Sequence, residues 1–130
     1  MKRILAVDDE PHILKLIAFS LSSHGFDVLE ATDGLSAVEI ARVEHPDLIL
    51  LDVMMPALDG YEACRRIKAD PITADIPIFM LTAKTQLAEQ STGTQAGALD
   101  YICKPFTPKD LVARVESFFA DGHEEGALNP

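Results

Sequence analysis

A chain of 130 residues, 48% hydrophobic and with a formal charge of −10, has the size of one domain. It can bury roughly two-thirds of its unfolded surface, so it needs neither disulfides nor a structural metal, and its apolar content excludes a disordered chain. Eleven Lys and Arg against 21 Asp and Glu argue against direct nucleic-acid binding, which needs clustered cations to displace counterions from phosphates. The longest apolar runs, 48–51 and 76–81, are too short to cross a bilayer. The N-terminal run breaks after four residues on two aspartates, so it is not a secretory signal. The expectation is a soluble, cytoplasmic protein with no membrane partner. Cys64 and Cys103 have no metal-ligand spacing and read as thiols in a reducing compartment.

Apolar runs alternate with helical periodicity along the chain. Ile4–Val7 is a short continuous apolar run, the mark of a strand buried on both faces. Ile13, Ile17 and Leu21, with Leu16 beside them, then give one face of a helix that ends at Gly25. Phe26–Ala31 is a weaker strand carrying two acids, suited to a sheet edge. Leu35, Val38 and Ala41 mark a second helix, and Pro46 closes the connection after it. Asp47–Asp52 is the most apolar strand and belongs at the centre. A loop with Met55-Pro56 leads to a helix with Ala63, Cys64 and Ile67 inward.

Ile76–Leu81 is the fourth strand, with Pro77 tolerable only near its start. The polar segment from Lys84 to Gly97 predicts a marginal helix. Ala98–Cys103 is the fifth strand, and Leu111, Val112, Val115, Phe118 and Phe119 line a last helix. Residues 1–121 form the domain, and 122–130 read as a flexible tail or the start of a linker.

Five strands alternating with five helices predict an α/β, doubly wound (flavodoxin-like) domain with a parallel sheet. Right-handed crossovers and the two weakest strands at the edges give the order 2-1-3-4-5, with helices on both faces. Such sheets place their functional crevice at the carboxyl ends of the strands, here between strands one and three. Strand one runs into Asp8-Asp9-Glu10, strand three into Asp52, strand four into Thr82 and strand five into Lys104-Pro105.

Three crowded carboxylates repel strongly, and either raise one another's pKa or recruit a cation. Oxygen ligands without His or Cys select a hard divalent ion, and a site with room for water suits Mg²⁺. One of Asp8 and Asp9 is also expected to cap the helix that starts at Glu10-Pro11. With a metal in place, Asp52 is a nucleophile toward phosphorus, while Lys104 and the Thr82 hydroxyl meet the oxygens of the transferring group.

The AVDDEP turn, LLDVMMPALDGYE, the MLTAK stretch and AGALDYICKPF together resemble the receiver domains of two-component response regulators, a likeness covering residues 2 to about 120. The resemblance implies that Asp52 is the phosphoacceptor, and that Asp9, Asp52 and the Met54 backbone carbonyl bind Mg²⁺ (with Mn²⁺ as a substitute), with Asp8 acting directly or through water. It also implies roles for Thr82 and Lys104 at the phosphoryl group, a switch role for Thr82 and Tyr101, and a cis bond at Lys104-Pro105. The implied partners are a histidine kinase or histidine phosphotransfer protein, and a downstream target or an output domain. The surface formed by the fourth helix, fifth strand and last helix is expected to change on phosphorylation.

Such a protein catalyses its own phosphorylation and a slow dephosphorylation but is not a turnover enzyme. Met54 and Lys84, flanking the approach of water, predict a long-lived acyl phosphate. A phosphatase of the haloacid dehalogenase-like class would need an Asp where Met54 stands. A degenerate interaction module would lack one of the site residues, and none is missing. Leu14 and Ala18 are expected as a partly exposed stripe on which the phosphodonor docks.

Overall fold

The computed structural model describes residues 1–83 and 97–121. Most of the helix expected over 84–97, and the whole of the 122–130 tail, fall outside the described residues. Five strands, β1 (Arg3–Val7), β2 (Asp27–Ala31), β3 (Leu48–Asp52), β4 (Ile78–Ala83) and β5 (Asp100–Lys104), form one parallel sheet of order β2-β1-β3-β4-β5. The described residues contain four helices: α1 (Pro11–Ser22), α2 (Gly34–Glu44), α3 (Gly60–Ala69) and α4 (Pro108–Ala120).

The alternation of side chains along each strand divides the core into two layers. Leu5, Val7, Ile49, Leu51, Ile78 and Met80 pack toward α2 and α3. Ile4, Ala6, Leu48, Leu50, Phe79 and Leu81 pack toward α1 and α4. Because both faces are covered, β1 from Ile4, all of β3 and β4 up to Thr82 are buried along their length, which is why these strands read as unbroken apolar runs.

Local chemistry sets the helix starts. Asp33, Asp59 and Thr107 accept N-cap bonds from the N–H groups of Ser36 (2.7 Å), Glu62 (2.9 Å) and Asp110 (3.0 Å), each satisfying a donor that has no partner within the helix. The cap of α1 differs from expectation. Its N-cap is Glu10, with no side-chain cap bond; Asp8 instead accepts from the Glu10 N–H at 2.9 Å.

Three further expectations need correction. The inner face of α1 is Leu14, Ile17 and Leu21, and Ile13 is only half-buried. At about 100° per residue those three fall in one sector of roughly 60°, with Ile13 to one side and Ala18 to the other. Leu14, 2% exposed, is therefore core and no part of a docking stripe, and Ala18 is half-buried. On α2 the inward residues are Gly34, Ala37 and Ala41, and Leu35 faces outward. Gly34 is required because a Cβ there would meet the Leu58 carbonyl oxygen at 2.5 Å. Finally, β4 starts at Ile78 rather than Ile76, since Pro77 has no N–H to give a ladder; its carbonyl accepts from Ile49 at 3.0 Å.

Cys64 is buried and Cys103 half-buried, both as free thiols. Burial pushes the Cys64 thiol up to about 11 against the pull of Lys68 and Arg65, which keeps it unreactive.

Candidate functional site

The strand ends converge as the topology requires. Asp8 follows the last residue of β1, Asp52 closes β3 and Lys104 closes β5. One carboxylate oxygen from each of Asp8, Asp9 and Asp52 lies within 4.8 Å of the others. Asp8 is fully buried and Asp52 is 3% exposed, while Asp9 is open to solvent. The Lys104 ammonium reaches across the crevice to Asp8 Oδ2 at 3.0 Å and to Asp52 Oδ1 at 3.2 Å. Asp52 Oδ1 also accepts from the Met54 N–H at 3.3 Å.

Among the described residues, one cation therefore faces two buried carboxylates and a third at the rim. Burial is the largest influence on Asp52 and raises it; Lys104 pulls it down, Asp8 raises it again, and the carboxyl ends at about 6 against an ordinary 3.8. Burial pushes the Lys104 ammonium down, but its hydrogen bond to Asp8 and the charge of Asp52 outweigh that and leave it above the usual lysine value. An ionised Asp52 is thus under-neutralised in the protein alone. The donor set (oxygen only, partly buried, and open on the Asp9 side) fits a hard divalent cation such as Mg²⁺.

Thr82 is 1% exposed, and its hydroxyl makes a long bond of 3.4 Å to the Ala83 carbonyl. In the β4–β5 ladder Met80 pairs with Tyr101 and Thr82 with Cys103. Tyr101, half-buried, packs on the α2–α3 layer of the core, the layer that Met80 also faces. Since Thr82 keeps the parity of Met80 on β4, it belongs to the same face of the sheet as Tyr101. The bond from Lys104 to Pro105 is cis.

Beside Asp9 an open cleft of about 710 Å³ is lined by Val53, Met54, Met55, Pro56 and Asp59, among others. Met54 stands 62% exposed at its edge, and Met55 turns into the core.

Two residues of this loop carry more than the sequence suggests. A Cβ on Gly60 would sit 2.2 Å from the Asp52 carbonyl oxygen, and the Gly60 N–H donates to the Val53 carbonyl at 3.0 Å. Gly60 therefore lets the start of α3 press directly on the backbone that holds Asp52. Ala57, with φ of 64°, occupies a left-handed conformation that suits glycine better. The Gly of ALDGYE was the available signal for the first; nothing local marks the second.

A family model described as the response regulator receiver domain matches residues 4–116. The receiver domain of sensor histidine kinase PA1611 from Pseudomonas aeruginosa, solved with a magnesium ion coordinated in its active-site cleft, superposes with a TM-score of 0.83 at 35% identity, covering 92% of this chain and 98% of that one. Chemotaxis protein CheY4 of Vibrio cholerae gives a TM-score of 0.85 at 32% identity, covering 90% and 98%. The alkaline phosphatase synthesis transcriptional regulatory protein PhoP of Bacillus subtilis is 45% identical over 116 residues, which are 89% of this chain and 48% of that protein. The chain spans about half the length of the curated relatives it matches.

Proposed function

We propose that this chain, which belongs to the response regulator receiver domain family, is a phosphorylation-dependent signalling switch with Asp52 as its phosphoacceptor, and not a turnover enzyme. The observation that carries this reading is the nearly buried Asp52 carboxylate, held at a strand end 3.2 Å from Lys104 and beside Asp8 and Asp9. A carboxylate raised by burial and set against Lys104 is a group arranged for chemistry rather than for stability.

In this reading a carboxylate oxygen of Asp52 attacks the phosphorus of a phosphohistidine. The new P–O bond forms as the P–N bond breaks, and its electron pair leaves on the imidazole nitrogen of the donor. Lys104 moves its charge from Asp52 toward a phosphoryl oxygen, and Thr82 donates its hydroxyl to another. Asp8, Asp9, Asp52 and the Met54 carbonyl would hold Mg²⁺, with Mn²⁺ as a substitute. Bound there, the ion supplies positive charge against the carboxylates and the phosphoryl oxygens.

The donor docks beside the site, though not on Leu14 and Ala18. The cleft of about 320 Å³ lined by Ile13, Leu16, Lys104, Pro105 and Phe106 offers an apolar seat next to the reacting lysine, suited to a helix of a histidine kinase or histidine phosphotransfer protein. Thr82 moving toward the phosphoryl group vacates room on the face it shares with Tyr101, and so couples the site to the surface of β5 and α4. That surface addresses a downstream protein target or an output domain, and the switch works in the cytoplasm.

Intact-mass measurement tests the assignment. Acetyl phosphate with Mg²⁺ should add one phosphoryl group to the wild type and none to Asp52→Asn, and excess EDTA should prevent the addition. Equal labelling of the variant, or labelling in EDTA, would remove Asp52 or the metal from the reaction.

A further inference from the structure

Away from the carboxylate site, a groove of about 580 Å³ runs between α1 and α4, with Phe19 and Ser20 on one wall and Lys109, Val112, Ala113 and Glu116 on the other. Its size is that of a small-ligand site, for which about 300–1,000 Å³ is usual. Phe19 stands 73% exposed at the edge, and Val112 is buried.

The polar groups along this groove fall into two sets. Ser23 Oγ donates to the Phe19 carbonyl at 2.8 Å, and His24 Nδ1 lies 2.9 Å from the Ser20 carbonyl, so both are committed to the end of α1. The Ser20 hydroxyl is different. Its residue is only 7% exposed, yet it meets no hydrogen-bond partner among the described residues. A buried hydroxyl left in that state is uncommon and costs stability. Lys109 and Glu116, both exposed, likewise form no ion pair with another described residue. They lie on one line of α4, about 10 Å apart along its axis, too far to pair with each other. The opposite rim of α4 is already occupied, for Arg114 bridges to Asp100 at 2.7 Å and lies over the Phe79 ring.

We propose that this groove binds a short, extended apolar peptide of about three residues with both ends free. Its carboxylate pairs with Lys109 and its ammonium with Glu116. An extended chain advances about 3.3 Å per residue, so three residues match the separation of about 10 Å between the two charges. A peptide amide between those ends supplies the partner that the Ser20 hydroxyl lacks, which an unbranched amino acid of equal length cannot do. The middle side chain lies against Val112 and the Phe19 ring, and the short Ala113 side chain lets the peptide backbone approach α4. The inference is independent of the phosphoacceptor reading, since it uses no residue of the carboxylate site.

Titrating the full chain with the tripeptide Ala-Val-Ala, without phosphodonor or metal, and following backbone amide shifts by NMR tests this. Saturable shifts centred on Phe19, Ser20 and residues 109–116 are expected. Amidating the carboxyl end of the peptide or acetylating its amino end should each raise the dissociation constant about fivefold, the size of an exposed ion pair. Lys109→Gln should weaken the free peptide about fivefold and leave the amidated one unchanged, and Glu116→Gln should act in the same way on the amino end. Ser20→Ala should weaken every form while its urea midpoint stays at or above that of the wild type, since the hydroxyl it removes has no partner in the protein alone. Shifts that do not saturate, or blocked peptides that bind as tightly as the free one, overturn the proposal. Equal losses for the free and amidated peptides in Lys109→Gln overturn the pairing of the carboxylate with Lys109.

Discussion

Asparagine at position 52 should stabilise the metal-free protein, and by an amount that grows with pH. Burial and the neighbouring Asp8 outweigh Lys104 and raise the Asp52 carboxyl from 3.8 to about 6. The sign follows from which state binds the proton more tightly. Between those values the folded protein holds the Asp52 proton while the unfolded chain has released it. The stability contributed by the protonated group is therefore complete below about pH 4 and is lost as pH rises through 6. A shift of about two units corresponds to about 3 kcal/mol at neutral pH.

The side chain is almost fully shielded from water, so solvent screening does little to reduce that figure. An amide at this position cannot ionise and carries no such slope. Urea melts in EDTA at pH 4, 5, 6 and 7.5 should show the two proteins separated by a near-constant offset in acid. The variant should then gain about 3 kcal/mol over wild type by pH 7.5. Added Mg²⁺ should narrow the gap at pH 7.5 by stabilising the wild type more. Parallel stability profiles across the whole range would refute the claim that Asp52 is ionised at an energetic cost.

Leu14→Ala should destabilise the domain by about 2–5 kcal/mol, the range for emptying a core leucine site; a surface-like change below about 0.5 kcal/mol in urea melts would return Leu14 to an exposed stripe. Ala57→Gly should raise stability by about 0.5–1 kcal/mol, since relief of the left-handed backbone exceeds the entropy glycine adds to the unfolded chain, and a lower melting temperature would contradict that. Met54→Asn combined with Lys84→Glu should shorten the acyl phosphate lifetime several-fold, read by loss of the added mass over time; an unchanged decay would show that these positions do not govern access of water. Hydrogen exchange with and without beryllofluoride should differ most across residues 84–106, and changes confined to α1 and α2 would break the link from Thr82 to Tyr101.

The architecture was legible because its signals are local and repeated. Strands buried on both faces must be apolar without interruption, so Ile4–Val7 and Leu48–Leu51 announce themselves and leave the acid-bearing Asp27–Ala31 for an edge. The site was legible for a related reason. A parallel sheet brings its strand carboxyl ends to one side, so the Asp8-Asp9 pair, Asp52 and Lys104 converge once the order is known. The spacing along the chain does not contain the ion-pair distances from Lys104 to Asp8 and Asp52. Those depend on how far β5 is carried across the sheet by β4, a matter of ladder register rather than of local preference.

What the sequence settled by itself was therefore the number and order of strands and the identity of the groups at their ends. Tertiary structure alone decided which way α1 and α2 were turned, whereas the inward faces of α3 and α4 were already legible. Periodicity fixes the angles between side chains on a helix but not the direction of the core, and a stripe through Ile13 fits the pattern almost as well as one through Leu14. The sheet surface made the choice, through the core layer of Ile4, Ala6, Leu48 and Leu50 that Leu14, Ile17 and Leu21 join. Gly60 and Gly34 follow the same logic. Each is needed only because a backbone distant or displaced in sequence comes within 3 Å of where its Cβ would be, and an approach of that kind is a property of packing.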